Sequence, residues 1–218
     1  MFKVEGKTFN FYCSKRELRS CDHPVVKDFA KAKVEWIRKN IDLEQKKVLE
    51  VGAGNGYISN HLRKFCDLTV SDISEKQLGL NPAQEKVVSS VYNLPFEDNE
   101  FCCVVSSNLL HHLENPQRAI DEMARVSKRF IALSEPNNQS PAIWLQSLIQ
   151  RHERNSLYYS KKFLTKLISN SNLRIINHTY SGGLVMPNFT PKFLLPLPLV
   201  KSKTRHPLSL FQIIIAKK

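Results

Sequence analysis

Three glycines at alternate positions, Gly52, Gly54 and Gly56, follow an apolar run that ends at Glu50-Val51. A glycine-rich turn after a strand lets the backbone approach a bound molecule closely. It also turns the N–H groups of the next helix toward that molecule. The spacing is GxGxG, not the GxGxxG of dinucleotide folds or the GxxxxGK[ST] of phosphate-binding loops, and no Lys-Ser or Lys-Thr follows. Glu50 stands just before the first glycine, where it would repel a pyrophosphate. An acid there suits a ligand that carries an ammonium group and no phosphate. Asp72 ends the next apolar run, the place where an acid grips ribose hydroxyls in Rossmann-like sheets. GxGxG alone is equally a tight structural turn. The glycines together with Glu50 and Asp72, each at the end of an expected strand, are a more specific signal.

Those positions require alternating strands and helices, and the periodicity supplies them. Strands are expected at 47–51, 67–72, 86–91, 101–107 and 129–135. Between them the pattern predicts helices at 55–65, from Ser74 to Leu80, and at 114–128, where Asn115 is the N-cap and Pro116 the first residue. A further helix at 25–39 precedes the first strand. Later helices fall at 141–152 and at 160–169, the latter capped by Ser160, and strands at 173–181 and 210–218 close the chain. Short spacing between strand and helix implies parallel βαβ units joined by right-handed crossovers. Strands apolar on both faces imply a sheet covered by helices on both sides.

The composition fits a cytoplasmic enzyme-sized domain. The 218 residues are 42% hydrophobic and 24% charged, enough to bury a substantial core. The N-terminus has no apolar signal-peptide core, and no run approaches the roughly 20 apolar residues of a membrane span. Five cysteines (Cys13, Cys21, Cys66, Cys102, Cys103) form no CxxC, so they read as free thiols and no metal is expected. The net charge of +12 is spread along the chain. A solvated basic surface accounts for it better than a nucleic-acid groove, which would gather its cations.

The stretch "VLEVGAGNGYIS" (48–59) resembles the first motif of the class I S-adenosylmethionine-dependent methyltransferases. "LPFEDNEFCCVVSSNLLHHLENPQRAIDEMARVSK" (94–128) resembles the LPF-D-x-F…HHL-x-x-P…E-x-x-R-V block of their small-molecule, quinone-pathway-like subgroup, and "SEPNN" (134–138) the segment after their fifth strand. The resemblance covers residues 46–137 well and the rest by element order. It implies a Rossmann-like α/β fold with a seven-stranded, mostly parallel sheet, helices on both faces and the last strand antiparallel. It also implies a methyltransferase domain over 41–218, preceded by an N-terminal lid at 1–40.

Carried over residue by residue, the resemblance places Gly52, Ala53, Gly54 and Gly56 under the methionine part of S-adenosylmethionine. Glu50 would favour the cationic end, Asp72 would bind the ribose and Ile73 would pack on the adenine. The family often has an acid at the end of the third strand, where this chain has Ser90-Val91, so the Val91 N–H is left for the adenine. Phe101-Cys102 replaces the usual Phe-Asp, and "SKRF" replaces a Pro-Gly-Gly turn.

Asn108, His111 and His112 follow the fourth strand and would lie near the transferred methyl group. Transfer needs an acceptor held in line with the methyl, and a hydroxyl acceptor also needs a base that histidine can supply near neutral pH. His111 and His112 are the catalytic candidates. A structural hydrogen bond competes for His112, and plain substrate contact or surface for His111. Tyr12, Arg16, Arg19 and His23 are candidates for contacting an anionic acceptor or the cofactor carboxylate, against the alternative of a solvated basic helix. The expected reaction is O- or C-methylation of a small molecule. A tRNA or protein methyltransferase and a non-catalytic S-adenosylmethionine-binding protein are the alternatives. Oligomeric state is left open.

Overall fold

The central strands bury both faces, as their sequence pattern requires. Along β1 (Lys47–Val51) Val48 joins one apolar cluster while Leu49 and Val51 join another. Along β4 (Phe101–Ser107) Cys103 and Val105 join the first cluster and Val104 the second. The protein is described by a computed structural model that covers residues 18–197, 200 and 205–218. The remaining strands are β2 (Asp67–Asp72), β3 (Glu85–Val88), β5 (Ser127–Pro136), β6 (Arg174–Ser181) and β7 (Phe211–Lys217). Together they form one sheet in the order β3-β2-β1-β4-β5-β7-β6. The pairs among β1 to β5 are parallel, and β7 runs antiparallel to both β5 and β6. This is the expected seven-stranded sheet with its last strand reversed.

Helix α1 (Pro24–Asn40) packs Val25, Phe29, Val34 and Ile37 into the first cluster, with the four-residue α2 (Ser59–Leu62) and α3 (Glu75–Leu80) on the same side through Leu62 and Leu78. On the other face, α4 (Pro116–Val126) and α6 (Lys161–Asn170) contribute Ile120, Met123, Leu164 and Ile168. The cap residues read from the sequence act as caps. Ser74, Asn115 and Ser160 accept side-chain hydrogen bonds from the N–H groups of Gln77, Arg118 and Phe163.

Three elements depart from their expected extents. The helix expected over 55–65 shrinks to α2, because Gly54 and Gly56 adopt φ of +50° and +90° and the loop consumes the residues before it. The third strand stops at Val88, after which Ser90 leaves the ladder to bridge Asn93. The helix expected over 141–152 ends at Ile149 as α5 (Pro141–Ile149). Gln150 turns extended and a 3-10 segment runs over Arg151–Tyr158.

Part of the "LPFED…ExxR" block proves to be a brace. Arg125 on α4 donates to the carbonyls of Leu94 (3.0 Å) and Phe96 (2.9 Å) and pairs with Asp98 (2.7 Å) and Glu122 (2.8 Å). Glu122 in turn accepts from the Leu94 N–H at 2.8 Å. The loop leading into β4 is thereby tied to the helix that follows it. Where the family's Pro-Gly-Gly turn is missing, α4 runs straight into β5. The join is taken up by a register shift opposite Phe101 to Cys103 and by a Ser127 Oγ bond to the Phe130 carbonyl at 2.8 Å.

Cys21, Cys66, Cys102 and Cys103 are free thiols, and Cys13 lies outside the described residues. Among the described residues no helix is long and apolar enough to cross a membrane.

Candidate active site

The sheet order reverses direction between β1 and β4. In open α/β sheets the crevice beyond the strand ends at such a switch point is where ligands bind. A cavity of about 690 Å³ opens there, within the roughly 300–1,000 Å³ of ligand pockets. Its lining runs without interruption from the glycine loop and Asp72 to His111, His112 and Glu153.

At one end the glycine loop and Asp72 form a single unit. Asp72 Oδ2 accepts from the Gly54 N–H and Oδ1 from the Ser74 N–H, both at 2.8 Å. Burial raises the Asp72 carboxyl above its usual range, against these N–H groups and that of Ile73, which pull it down. The glycines serve different ends. A side chain at Gly54 would point into open space in the cavity, with nothing within 4 Å, whereas one at Gly56 would run into Pro82 and Asn81. Gly54 therefore leaves the cradle open, and Gly56 is needed for packing.

The shape of this end fits S-adenosylmethionine. Ala53, Gly52, Ile73, Ser90, Val91 and Asn108 all line the cavity beside Glu50 and Asp72. Asn108, at φ +57°, leaves its buried Oδ1 without a hydrogen-bond partner among the described residues. Such an orphaned acceptor suits the ammonium group of a ligand.

Because Asp72 also holds the loop, Asp72→Ala has two expected effects. Cofactor affinity should fall roughly tenfold or more, and unfolding free energy by about 1.5–3 kcal/mol, from the loss of charge-assisted hydrogen bonds. Calorimetric titration and urea denaturation of the same preparation read the two separately.

Glu50 is buried at 2% exposure and accepts a hydrogen bond from Ser59 Oγ at 2.6 Å. Burial pushes its pKa up to about 8; the Ser59 bond opposes that shift and the charge of Asp72 adds to it. The folded state therefore holds the Glu50 proton more tightly than the unfolded chain. The stability this group contributes is complete below about 4.5 and declines as pH rises to about 8. Glu50→Gln, which cannot ionise, should melt higher than the parent above pH 8, and the two curves should converge in acid. A gap of constant size across that range would show that Glu50 does not titrate there.

At the other end, Glu135 organises the segment after β4. Its Oε1 accepts from the N–H groups of Leu109 (3.0 Å) and Leu110 (2.9 Å), and its Oε2 lies 2.7 Å from His111 Nδ1. Tyr159 donates to the Leu110 carbonyl at 2.6 Å and fixes the same turn. Burial alone would depress the His111 pKa, but bonding and charge from Glu135 and Glu153 outweigh it and push the pKa up to about 9. His112 is held well below its usual range, by burial first and by the neighbouring His111 second. The histidine engaged by a buried structural carboxylate is thus His111, while His112 carries the less basic imidazole.

The basic candidates fall elsewhere. Arg19 donates to the carbonyls of Pro187 (3.0 Å) and Thr190 (2.7 Å), pinning the loop that brings Met186 and Phe189 to the cavity. His23 caps α1 through Nδ1, which accepts from the Val25 N–H at 3.2 Å. Neither residue lines the cavity. Tyr12 and Arg16 lie outside the described residues. Sequence reasoning passed over Glu135 and Glu153. Glu135 stands inside the "SEPNN" stretch but carries no spacing that joins it to His111, and Glu153 lies one residue beyond the helix expected over 141–152.

The sheet order and the glycine loop tied to Asp72 have the arrangement of the class I S-adenosylmethionine-dependent methyltransferase fold. Residues 49–130 match the family model of the methyltransferase domain. The chain is similar to a ubiquinone biosynthesis O-methyltransferase of Dechloromonas aromatica, 33% identical over 111 residues, 46% of this chain and 48% of that one. It is also similar to a phosphatidylethanolamine N-methyltransferase of Cereibacter sphaeroides, 25% identical over 154 residues, 63% of this chain and 76% of that one. The match thus spans about half the length of the first relative. In fold it is similar to an S-adenosylmethionine-dependent methyltransferase of Thermotoga maritima, described as a possible histamine N-methyltransferase. That similarity has a TM-score of 0.69 at 14% identity, over 89% of this chain and 91% of that one.

Proposed function

We propose that the protein methylates a small, largely apolar acceptor at a hydroxyl oxygen, or at a carbon activated by one. The observation that carries this reading is the continuity of one cavity. It has a cofactor-shaped end at Gly54 and Asp72, apolar walls at Leu113, Ile143, Met186 and Phe211, and a polar end at His111, His112 and Glu153. The name of the ubiquinone relative supports oxygen as the acceptor atom.

When bound, S-adenosylmethionine supplies an electrophilic methyl group on a sulfonium. The chain's own part is to hold the reactants and manage a proton. The Gly54 loop and Asp72 hold the cofactor, with the Asn108 carbonyl oxygen available for its ammonium group. The apolar walls exclude water and hold the acceptor in line, a source of much of the rate in such displacements. The polar end receives the acceptor's hydroxyl, and the less basic imidazole, His112, or the Glu153 carboxylate takes the proton. The fold positions this end through Glu135, which has no contact with the acceptor pocket's open space and acts through His111.

A panel of acceptors tests the reading, with methyl-labelled cofactor and phenolic, amine-bearing and bulk tRNA candidates side by side. Label is expected in a phenolic or enolic product. Transfer confined to amines would move the reading toward the phosphatidylethanolamine relative. A defined methylated nucleoside formed at physiological salt would replace the small-molecule reading with a tRNA one. Cofactor binding with no transfer to any acceptor would favour a non-catalytic binding protein.

A further inference from the structure

The donors at the polar end of the cavity also have the composition of a metal-ligand set, an arrangement in which they act on the acceptor's oxygen through an ion and not by taking its proton directly. His111, His112 and Glu153 each present one ligand atom, and these atoms lie within 4.8 Å of one another. We propose that the three form a divalent transition-metal site, zinc- or iron(II)-like, that faces the acceptor. The proposal rests on the reading of this cavity as the acceptor site.

The spacing of the donors permits a shared ion. His111 Nε2 and Glu153 Oε2 are 3.4 Å apart. A charge-assisted hydrogen bond is shorter, about 2.7–2.9 Å. Two ligands bound at about 2.0–2.1 Å to one tetrahedral ion stand about 3.3–3.4 Å from each other. The observed separation is compatible with two ligands on one ion, and the third ligand atom lies within 4.8 Å of both. On the far side of the ring, His111 Nδ1 lies 2.7 Å from Glu135 Oε2, the carboxylate–histidine arrangement that sets the tautomer and aims Nε2 at a metal. Glu135 is 0% exposed and is tied by two backbone N–H groups, so the ring cannot swing away.

The donor set also selects the ion. Two imidazoles and one carboxylate suit zinc, iron(II) or cobalt(II) and are poor for magnesium or calcium, which take oxygen ligands. Three protein ligands leave at least one coordination position open, as in catalytic metal sites. All three residues line the cavity, so the open position faces the space where the acceptor's oxygen would lie. An ion there would orient and polarise that oxygen.

Cobalt(II) tests the site without recourse to activity. The full-length protein, stripped with a chelator and dialysed, is titrated with cobalt(II) and followed by visible absorption. The expected result is the intense ligand-field spectrum of a low-coordinate ion saturating at one per chain, displaced by zinc. Glu153→Gln and His112→Asn should each lower affinity at least tenfold. Far-UV circular dichroism and binding of the demethylated cofactor product serve as checks that both variants remain folded. Absence of that spectrum in the parent protein, or affinity unchanged in both folded variants, overturns the proposal. Methyl transfer that proceeds undiminished after chelation would also remove the metal while leaving the transferase reading intact. Cobalt binding without transfer to any acceptor would do the reverse.

Discussion

Gly54→Val should abolish binding of S-adenosylmethionine and of its demethylated product while leaving the fold in place. Gly54 holds φ at +50°, a conformation that costs a β-branched residue about 1–3 kcal/mol. That cost alone is survivable for a domain of this size. The larger effect is spatial. A Cβ at this position meets nothing within 4 Å in the empty cavity, so the valine side chain is tolerated there and occupies the volume a cofactor needs. Calorimetry should show no heat with either ligand, and the melting temperature should drop only modestly. Gly56→Val makes the contrast, since its side chain would collide with the Pro82 ring and damage the fold itself. Normal cofactor affinity in Gly54→Val would mean that the ligand does not pass over this loop.

Glu135→Ala should be the most damaging single change to stability at the site. The carboxylate is fully buried and serves the Leu109 N–H, the Leu110 N–H and His111 Nδ1 together. Removing it strands two backbone donors and a buried imidazole, a loss of about 3–5 kcal/mol by analogy with broken buried ion pairs. For a chain of this length that corresponds to a fall in melting temperature on the order of 10 °C. Glu135→Gln keeps one oxygen acceptor and should fall between the parent and the alanine variant. A melting temperature unchanged in Glu135→Ala would show that the turn over Leu110–His112 is held from elsewhere, with the Tyr159 bond to the Leu110 carbonyl the first place to look.

How much of this was legible in advance differs element by element. Asn115, Ser74 and Ser160 could be read as caps because capping is a contact between residues three apart. The sheet could be read because its strands are apolar on both faces and short connections force parallel crossovers. The helix expected over 55–65 failed because apolar spacing at Ile58, Leu62 and Phe65 is blind to backbone conformation. The positive φ of Gly54 and Gly56 breaks the helix before Ser59. The tail of the helix expected over 141–152 failed for a similar reason. Its turn at Gln150 is marked by no proline or glycine, and the Ser147 hydroxyl bonds the Glu153 carbonyl across it at 3.1 Å.

The sequence by itself determined the strand-and-helix rhythm, the class of the fold and the glycine loop with its acidic strand end, because each is written in local pattern. The glycine loop follows one strand end, Asp72 is another, and the sheet's topology brings adjacent strand ends together. The polar end was decided by tertiary structure alone. His111 meets Glu135 from the fifth strand and Glu153 from a segment beyond α5. No short-range spacing relates the three. The placement of Arg19 and His23 was decided in the same way. A cation in the sequence is equally a ligand contact or a fastener, and only the placement of the Pro187 and Thr190 carbonyls and of the Val25 N–H shows that these two fasten the chain to itself.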